Sequence, residues 1–524
     1  MTRTDTLRLE LLSGEKWWGG AVADGQQMPF GTEPHRRDLA VNAGFLADDS
    51  AGANQSAPLL LSSRGRSVWS EHPFAFSFEN GCLSVAGQGL VQARAGDSLR
   101  EAFRYASAAF FPPSGRAPAE ELFTGPQYNT WIELPYAPTQ QGVLDYVRGI
   151  LDAGFPPGPV MIDDNWSPGY GSWTFDPLRF PDPGEMTRVL TEWGCTVMLW
   201  LVPFVSPDTA VFRDLNRRGL LVRGADGEVA IRRWWNGYGA VLDATNPETV
   251  AWLTAGLRAL IDDHGVDGFK FDGGDLRDYR EGDLTLVPTD RAGQCEAWSR
   301  IGLEFPVNEY RSGWKMGGQP LAERLHDKPP VWGAGGLDSL IPESIAQGLI
   351  GSAFVCPDMV GGGDLSHFAD VTAVDQELFV RFAQCAALFP MVQFSLSPWR
   401  VLDPEHLAAV RAAIDIRQSL LPEILALVRA AATTGEPILR SLGYHHPGFE
   451  HVTDQFLLGE DVLVAPVLRQ GATSRTVVFP PGRWVAVDGS SQMGPSAAEL
   501  PVTLGTLPWF RRGAGDASGK GSDC

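Results

Sequence analysis

Cysteine is scarce in this sequence: six residues in 524, at Cys82, Cys195, Cys295, Cys356, Cys385 and Cys524, with no CxxC pair. That excludes a disulfide framework and a cysteine zinc site, and reads as free thiols in a reducing compartment. Long apolar runs are also missing. No stretch reaches 18 residues, so no transmembrane helix is expected. The opening MTRTDTLRLELLSGEKWW lacks the apolar centre of a secretion signal, and the chain is read as cytoplasmic. Positive charge is in deficit: 42 Lys and Arg against 63 Asp and Glu give a formal charge of −21. A nucleic acid, an anionic membrane or a strongly acidic substrate is a poor partner for such a chain, whereas a neutral small molecule fits. Nine histidines form no HxH or HExxH, no GxSxG elbow occurs, and no GxGxxG follows a strand pattern. Zinc hydrolysis, serine nucleophiles and dinucleotide chemistry lose their usual signatures. No metal and no organic cofactor is expected.

What is present is apolar residue, at 44%, and 17 tryptophans. The length predicts two to four domains. Residues 1–122 hold short alternating runs such as LRLELL and FAFSF between Gly, Ser and Asn, the pattern of a β-sandwich. From 123 to 430, strand-like runs alternate with amphipathic helical stretches, which predicts a (β/α)8 barrel. Seven strands are read there: 129–134, 159–164, 196–204, 268–273, 302–309, 353–358 and 390–395. A charged, aromatic insertion is placed around 207–246. Residues 431–512 return to short strands and suggest a second β-sandwich, and the Gly/Ser/Asp-rich tail 513–524 suggests disorder. The fold class is therefore multidomain α/β, a barrel flanked by β-domains.

Several predicted strands end in acid: Asp163 and Asp164, Asp272, Glu309, and Asp358. In a (β/α)8 barrel the C-terminal strand ends share one face, where reacting groups gather. A single Asp at such a place is often only a turn former. Four acidic strand ends around one mouth suit the paired carboxylates that cleave glycosidic bonds, one attacking the anomeric carbon and one protonating the leaving oxygen. Trp131, Trp166, Trp200, Trp234, Trp235 and Trp332 are candidates for apolar walls against sugar C–H groups, with rim packing as the alternative use.

GFKFDGGD (268–275) resembles the nucleophile motif of glycoside hydrolase family 31, in the branch that contains the myogenesis-regulating glycosidase. IDDNWSPGYGSWTFDPLRFPD (162–182), RRWWNGYGAVLDATNP (232–247), VWGAGGLDSLIP (331–342), FVCPDMVGGG (354–363) and FPMVQFSLSPWR (389–400) are similar to the same branch in the same order. The likeness covers roughly residues 125 to 510. It implies a retaining, exo-acting α-glycoside hydrolase with Asp272 as nucleophile and Asp327, in LHDKPPVWG, as acid/base. Asp338 is the alternative acid/base. Arg311, 16 residues before Asp327, matches the substrate-binding arginine. Asp163 or Asp164 matches the acid that grips the far edge of the sugar, and Trp200 and Trp235 match apolar walls. Asp358 matches an acid at the barrel mouth, and Asp275 replaces a more usual Glu. Lys270, two residues before Asp272, shares its strand face and favours an ionised nucleophile. A general acid must keep its proton, and His326 beside Asp327 would oppose this if protonated.

The branch motifs imply an α-galactoside substrate, with an α-glucoside as the alternative and a non-catalytic carbohydrate-binding scaffold as a further reading. The partner is a small glycoside or oligosaccharide. Transglycosylation and homo-oligomer formation stay open.

Overall fold

The structure is a computed structural model, and it describes residues 4–41, 55–370 and 373–513. The expected tail from 513 onward lies almost wholly outside the described residues.

At its centre are eight short parallel strands, here β1 (Gln127–Asn129), β2 (Val160–Ile162), β3 (Val197–Leu201), β4 (Gly268–Phe271), β5 (Asn308–Tyr310), β6 (Glu323–Arg324), β7 (Val355–Cys356) and β8 (Gln393–Phe394). Their spatial order is β7-β6-β5-β4-β3-β2-β1-β8. The Val360 amide donates to the Gln393 carbonyl at 2.7 Å, so the two ends of the sheet nearly close into a barrel. All five residues of β3, VMLWL, are buried, because one face meets helices and the other fills the interior. In β4, Phe269 and Phe271 pack against Phe305, Trp298 and Tyr310, which leaves the alternate position, Lys270, to the barrel interior.

Helices cover the barrel, and their ends follow simple chemistry. The helix Pro247–His264 starts with Asn246 accepting from the Glu248 amide, has Pro at its first turn, and stops at Gly265 in the left-handed region. The helix Gln140–Asp152 is capped by Thr139, which accepts from the Gly142 amide.

Three strands differ from the sequence reading. The first ends at Asn129, so Trp131 sits in the following turn. The region read as strand 302–309 begins with a 3-10 turn at Gly302–Glu304 and becomes extended only at Asn308. Glu309 therefore lies within β5, not at its end. The eighth strand, β6, was not foreseen at all.

The insertion after β3 carries a helix (Ala210–Arg218) and a three-stranded antiparallel sheet of Phe204–Val205, Gly237–Val241 and Ile231–Trp234. Before the barrel stand a four-stranded sheet and a second sheet built on Gln55–Ser62. A helix, Leu99–Phe110, also lies in this region that had read as wholly β. Its Leu99, Ala102, Phe103 and Ala106 recur at helical spacing and are buried. One barrel segment, Gly313–Trp314, pairs in parallel with Gln55–Ser56 and ties the N-terminal sheet to the barrel. After the barrel, the region expected as a β-sandwich carries one six-stranded antiparallel sheet.

Candidate active site

The C-terminal strand ends surround a cavity of about 350 Å³, at the small end of ligand sites. Eight of the expected residues line it: Trp131, Asp163, Trp200, Trp235, Lys270, Asp272, Arg311 and Asp327. Its remaining wall is Tyr136, Arg277, Arg324, Asp364, Leu365 and Ser366.

Asp272 follows β4 directly. Its Oδ2 accepts from Trp200 Nε1 at 2.9 Å, and its Oδ1 accepts from Arg311 Nε and from the Gly273 amide. Burial pushes this carboxyl up, but Arg311, then Lys270 and Arg324, together with the Trp200 hydrogen bond, outweigh it and hold the group well below the usual range. It is an anion, poised on three donors. Lys270 stands at the next inward position of β4, with Nζ 2.7 Å from Asp163 Oδ2. Burial alone would lower the Lys270 pKa, yet Asp163 and the other carboxylates raise it overall. The lysine is a cation that serves both acids.

Asp163 and Asp164 part company. Asp163 faces the cavity. Asp164 turns away, accepting from Tyr170 Oη at 3.0 Å and from the Asn236 side chain. Burial, then the neighbouring charge of Asp163, pushes Asp164 up to about 7. Asn236 and Trp235 form the two-residue tip of the hairpin Ile231–Val241. Asp164 thus holds the hairpin that lays Trp235 along the cavity wall, where the Arg311 guanidinium lies 5.3 Å from the indole centroid.

Asp327 lies three residues beyond β6, its side chain 38% exposed and Oδ1 2.9 Å from Arg324 Nη1. His326 beside it is half-buried, its side chain 16% exposed. Desolvation, then Lys328, Arg311 and Arg324, drives its pKa well below the ordinary value, so the imidazole is neutral and adds no charge. Asp338 is elsewhere: it is exposed on a 3-10 turn and lines a different cavity with Gln26, His451 and Arg469.

Two expected substrate contacts are corrected. Asp275 is 1% exposed and does not reach the cavity; it sits behind Arg311, 3.4 Å from Nη2. Its short side chain suits that buttress. Asp358 is fully buried, accepting from Arg324 Nη1 and from the Lys328 amide. Glu309 is also buried beneath the site, accepting from Gln393 Nε2 at 2.7 Å. Among the other candidate tryptophans, Trp166 packs on Phe175, Trp234 stacks on Phe204, and Trp332 donates to Asp375, all away from the cavity. Trp131 donates to the Gly363 carbonyl at 2.9 Å and packs edge-on against Tyr136, forming an aromatic corner at the mouth.

The sequence reading missed Arg324, Tyr136, Arg277 and Asn236. Asn236 was within a quoted motif, in RRWWNGYG, where the two-residue break between alternating runs is the signal of a hairpin tip.

Residues 124–297 match the glycosyl hydrolases family 31 TIM-barrel domain, and residues 435–515 match the glycosyl hydrolase family 31 C-terminal domain. Two stretches of the chain thus match family 31 domains. The myogenesis-regulating glycosidase of Mus musculus is 34% identical over 432 residues, covering 79% of this chain and 60% of that protein. A 1,3-alpha-isomaltosidase of Kribbella flavida is 27% identical over 464 residues, covering 77% and 62%. The chain therefore spans about three fifths of the length of these relatives. A dextranase of Flavobacterium johnsoniae, solved with isomaltotriose, superposes with a TM-score of 0.82 over 97% of this chain and 66% of that one, at 19% identity. A family 31 sulfoquinovosidase of E. rectale gives 0.84 over 98% and 83%, at 18% identity. At such identities the likeness concerns the fold. Among the described residues no helix is long and apolar enough to cross a membrane.

Proposed function

We propose that this chain is a retaining, exo-acting α-glycoside hydrolase with Asp272 as nucleophile and Asp327 as acid/base. The observation that carries the reading is the shared cavity. It holds one carboxylate kept ionised by Arg311, Lys270 and Trp200, and one more exposed carboxylate on the loop after β6.

In the first step Asp272 Oδ attacks C1 of the bound sugar. The C1–O bond breaks as Asp327 passes its proton to the departing oxygen, leaving a covalent glycosyl-enzyme. In the second step Asp327, now a carboxylate, takes a proton from water as that water attacks C1. The C1–Asp272 bond breaks and configuration is retained. Asp163 and Arg311 grip hydroxyls, while Trp131, Trp200 and Trp235 supply apolar walls. A sugar acceptor in place of water would make the same groups a transglycosylase. Five free cysteines among the described residues suit the reducing, cytoplasmic setting of this reading.

For the sugar we favour galactose, on the FKFD and PDMVGG motifs that resemble an α-galactoside branch. Glucose is the second reading, favoured by relatives such as the neutral alpha-glucosidase AB of Homo sapiens, 27% identical over 418 residues. Steady-state kinetics on p-nitrophenyl α-galactoside and α-glucoside test the choice. A kcat/KM at least tenfold higher on the galactoside is expected, and turnover of the glucoside alone would overturn it.

A further inference from the structure

Asp358 is a fully buried carboxylate that does not itself line the cavity, and its backbone pays for its place. Its φ of +84° is in the left-handed region, which a residue with a Cβ occupies only when its surroundings impose it. Gly363 leaves room for it: a Cβ there would come within 2.8 Å of Asp358 Oδ1. Both carboxyl oxygens are used. Oδ1 accepts from Arg324 Nη1 and Oδ2 from the Lys328 amide at 2.7 Å, so Asp358 grips the two ends of the loop that carries Asp327. The same Nη1 lies 2.9 Å from Asp327 Oδ1. One guanidinium, 1% exposed, thus meets three carboxylates, those of Asp358, Asp327 and Glu309.

We propose that Asp358 is a positioning residue for the acid step: it anchors the loop 325–328 and shares the Arg324 guanidinium that also faces Asp327. The inference rests on the assignment of Asp327 as acid/base. Both oxygens of Asp358 receive N–H groups, which fixes its carboxyl between Arg324 and the loop, while Asp327 faces the cavity. Burial, opposed by Arg324 and aided by the Asp327 charge, pushes Asp358 up to about 7. Other charged groups near Asp327 are Arg311 after β5, Asp272 after β4, Arg277 on the following turn, Lys328 on its own loop and Asp364 across the cavity. His326 is neutral. Each of these stays in place when Asp358 alone is changed.

The test compares Asp358→Asn with the unaltered chain on two substrates of whichever sugar the enzyme accepts: an α-glycosyl fluoride, whose leaving group needs little protonation, and a methyl α-glycoside, which needs it fully. Removing the carboxylate leaves the Arg324 charge to Asp327 and Glu309 and takes one anchor from the loop. We expect kcat/KM on the methyl glycoside to fall at least tenfold more than on the fluoride, and its alkaline limb to move down by about one pH unit. Equal losses with an unmoved limb would overturn the proposal and leave Asp358 a packing residue. Should the Asn variant not fold, Arg324→Gln carries the opposite sign: the alkaline limb moves up, and an unmoved limb there overturns the proposal equally. Asp327→Asn separates the two levels. If it leaves both the limb and the leaving-group dependence intact, the acid/base assignment itself has failed; if it abolishes both while Asp358→Asn changes neither, only the role of Asp358 has.

Discussion

Burial by itself pushes the Asp272 carboxyl toward its protonated form, which is useless as a nucleophile. The cations decide otherwise, with Arg311 first and Lys270 next. Because its pKa in the fold lies below the usual aspartate value of about 3.9, the ion pair stabilises the fold above that pH. That contribution is lost only as the pH falls through the lowered value. The acid limb of kcat/KM should therefore not reflect Asp272 anywhere above about pH 4. Arg311→Gln removes the largest opposing charge and leaves the desolvation in place. We expect its acid limb to rise by at least one pH unit, with a rate loss on the order of 100-fold at pH 5 and less at pH 8. A pH–rate series on the purified variant checks this, and an acid limb that stays where it was would mean that Lys270 and Trp200 suffice.

Among elements, the hairpin Ile231–Val241 does the most for the cavity while lying outside the barrel. Its tip is fastened by Asn236 to Asp164 and Tyr170, and the adjacent Trp235, 41% exposed, supplies a wall. Asn236→Ala frees the tip. A wall that contacts the sugar equally in ground and transition state affects KM more than kcat, so a KM about tenfold higher is expected, worth about 1.4 kcal/mol. A fall in kcat with KM unchanged would show that the hairpin acts on the chemical step instead.

The strands themselves show what a sequence can reveal. β4 was legible because GFKF alternates aromatic residues for the helix layer with an inward charge, and it ends in Asp272. β6 was invisible: it is two residues long, Glu323–Arg324, and both side chains are charged yet at most 2% exposed. No hydropathy pattern marks such a strand: Arg324 is paired with carboxylates distant in sequence, such as Asp358, and burial pushes the Glu323 carboxyl up to about 7. With β6 unread, Arg324 was unread too. Asp327 came into view through the family motif alone. Asp358 and Asp275 were placed in the site by the same motifs, but whether an acid touches substrate or braces an arginine depends on one side-chain turn, which composition does not encode.

At the scale of the whole molecule, the N-terminal sheet reaches the site from behind. Gln55 Nε2 donates to the carbonyls of Arg311 and Arg324 at 2.7 and 2.6 Å, fixing the backbone of two of the three cavity arginines. Gln55→Ala leaves these two carbonyls buried without that donor, which is expected to cost about 1–3 kcal/mol. We expect a lower thermal midpoint together with a severalfold drop in kcat/KM, read by calorimetry and by kinetics on one preparation. A lower midpoint with full activity would make the sheet a scaffold without influence on the site.

The central claim is that Asp272 forms a bond to the sugar. Incubating the full chain with a 2-deoxy-2-fluoro α-glycosyl donor bearing a good leaving group, followed by proteolysis and peptide mass mapping, tests it directly. One fluoroglycosyl adduct per chain, located at Asp272, is the outcome the account predicts. An adduct on another carboxylate, or steady turnover of ordinary substrate by a preparation that never labels, would contradict it.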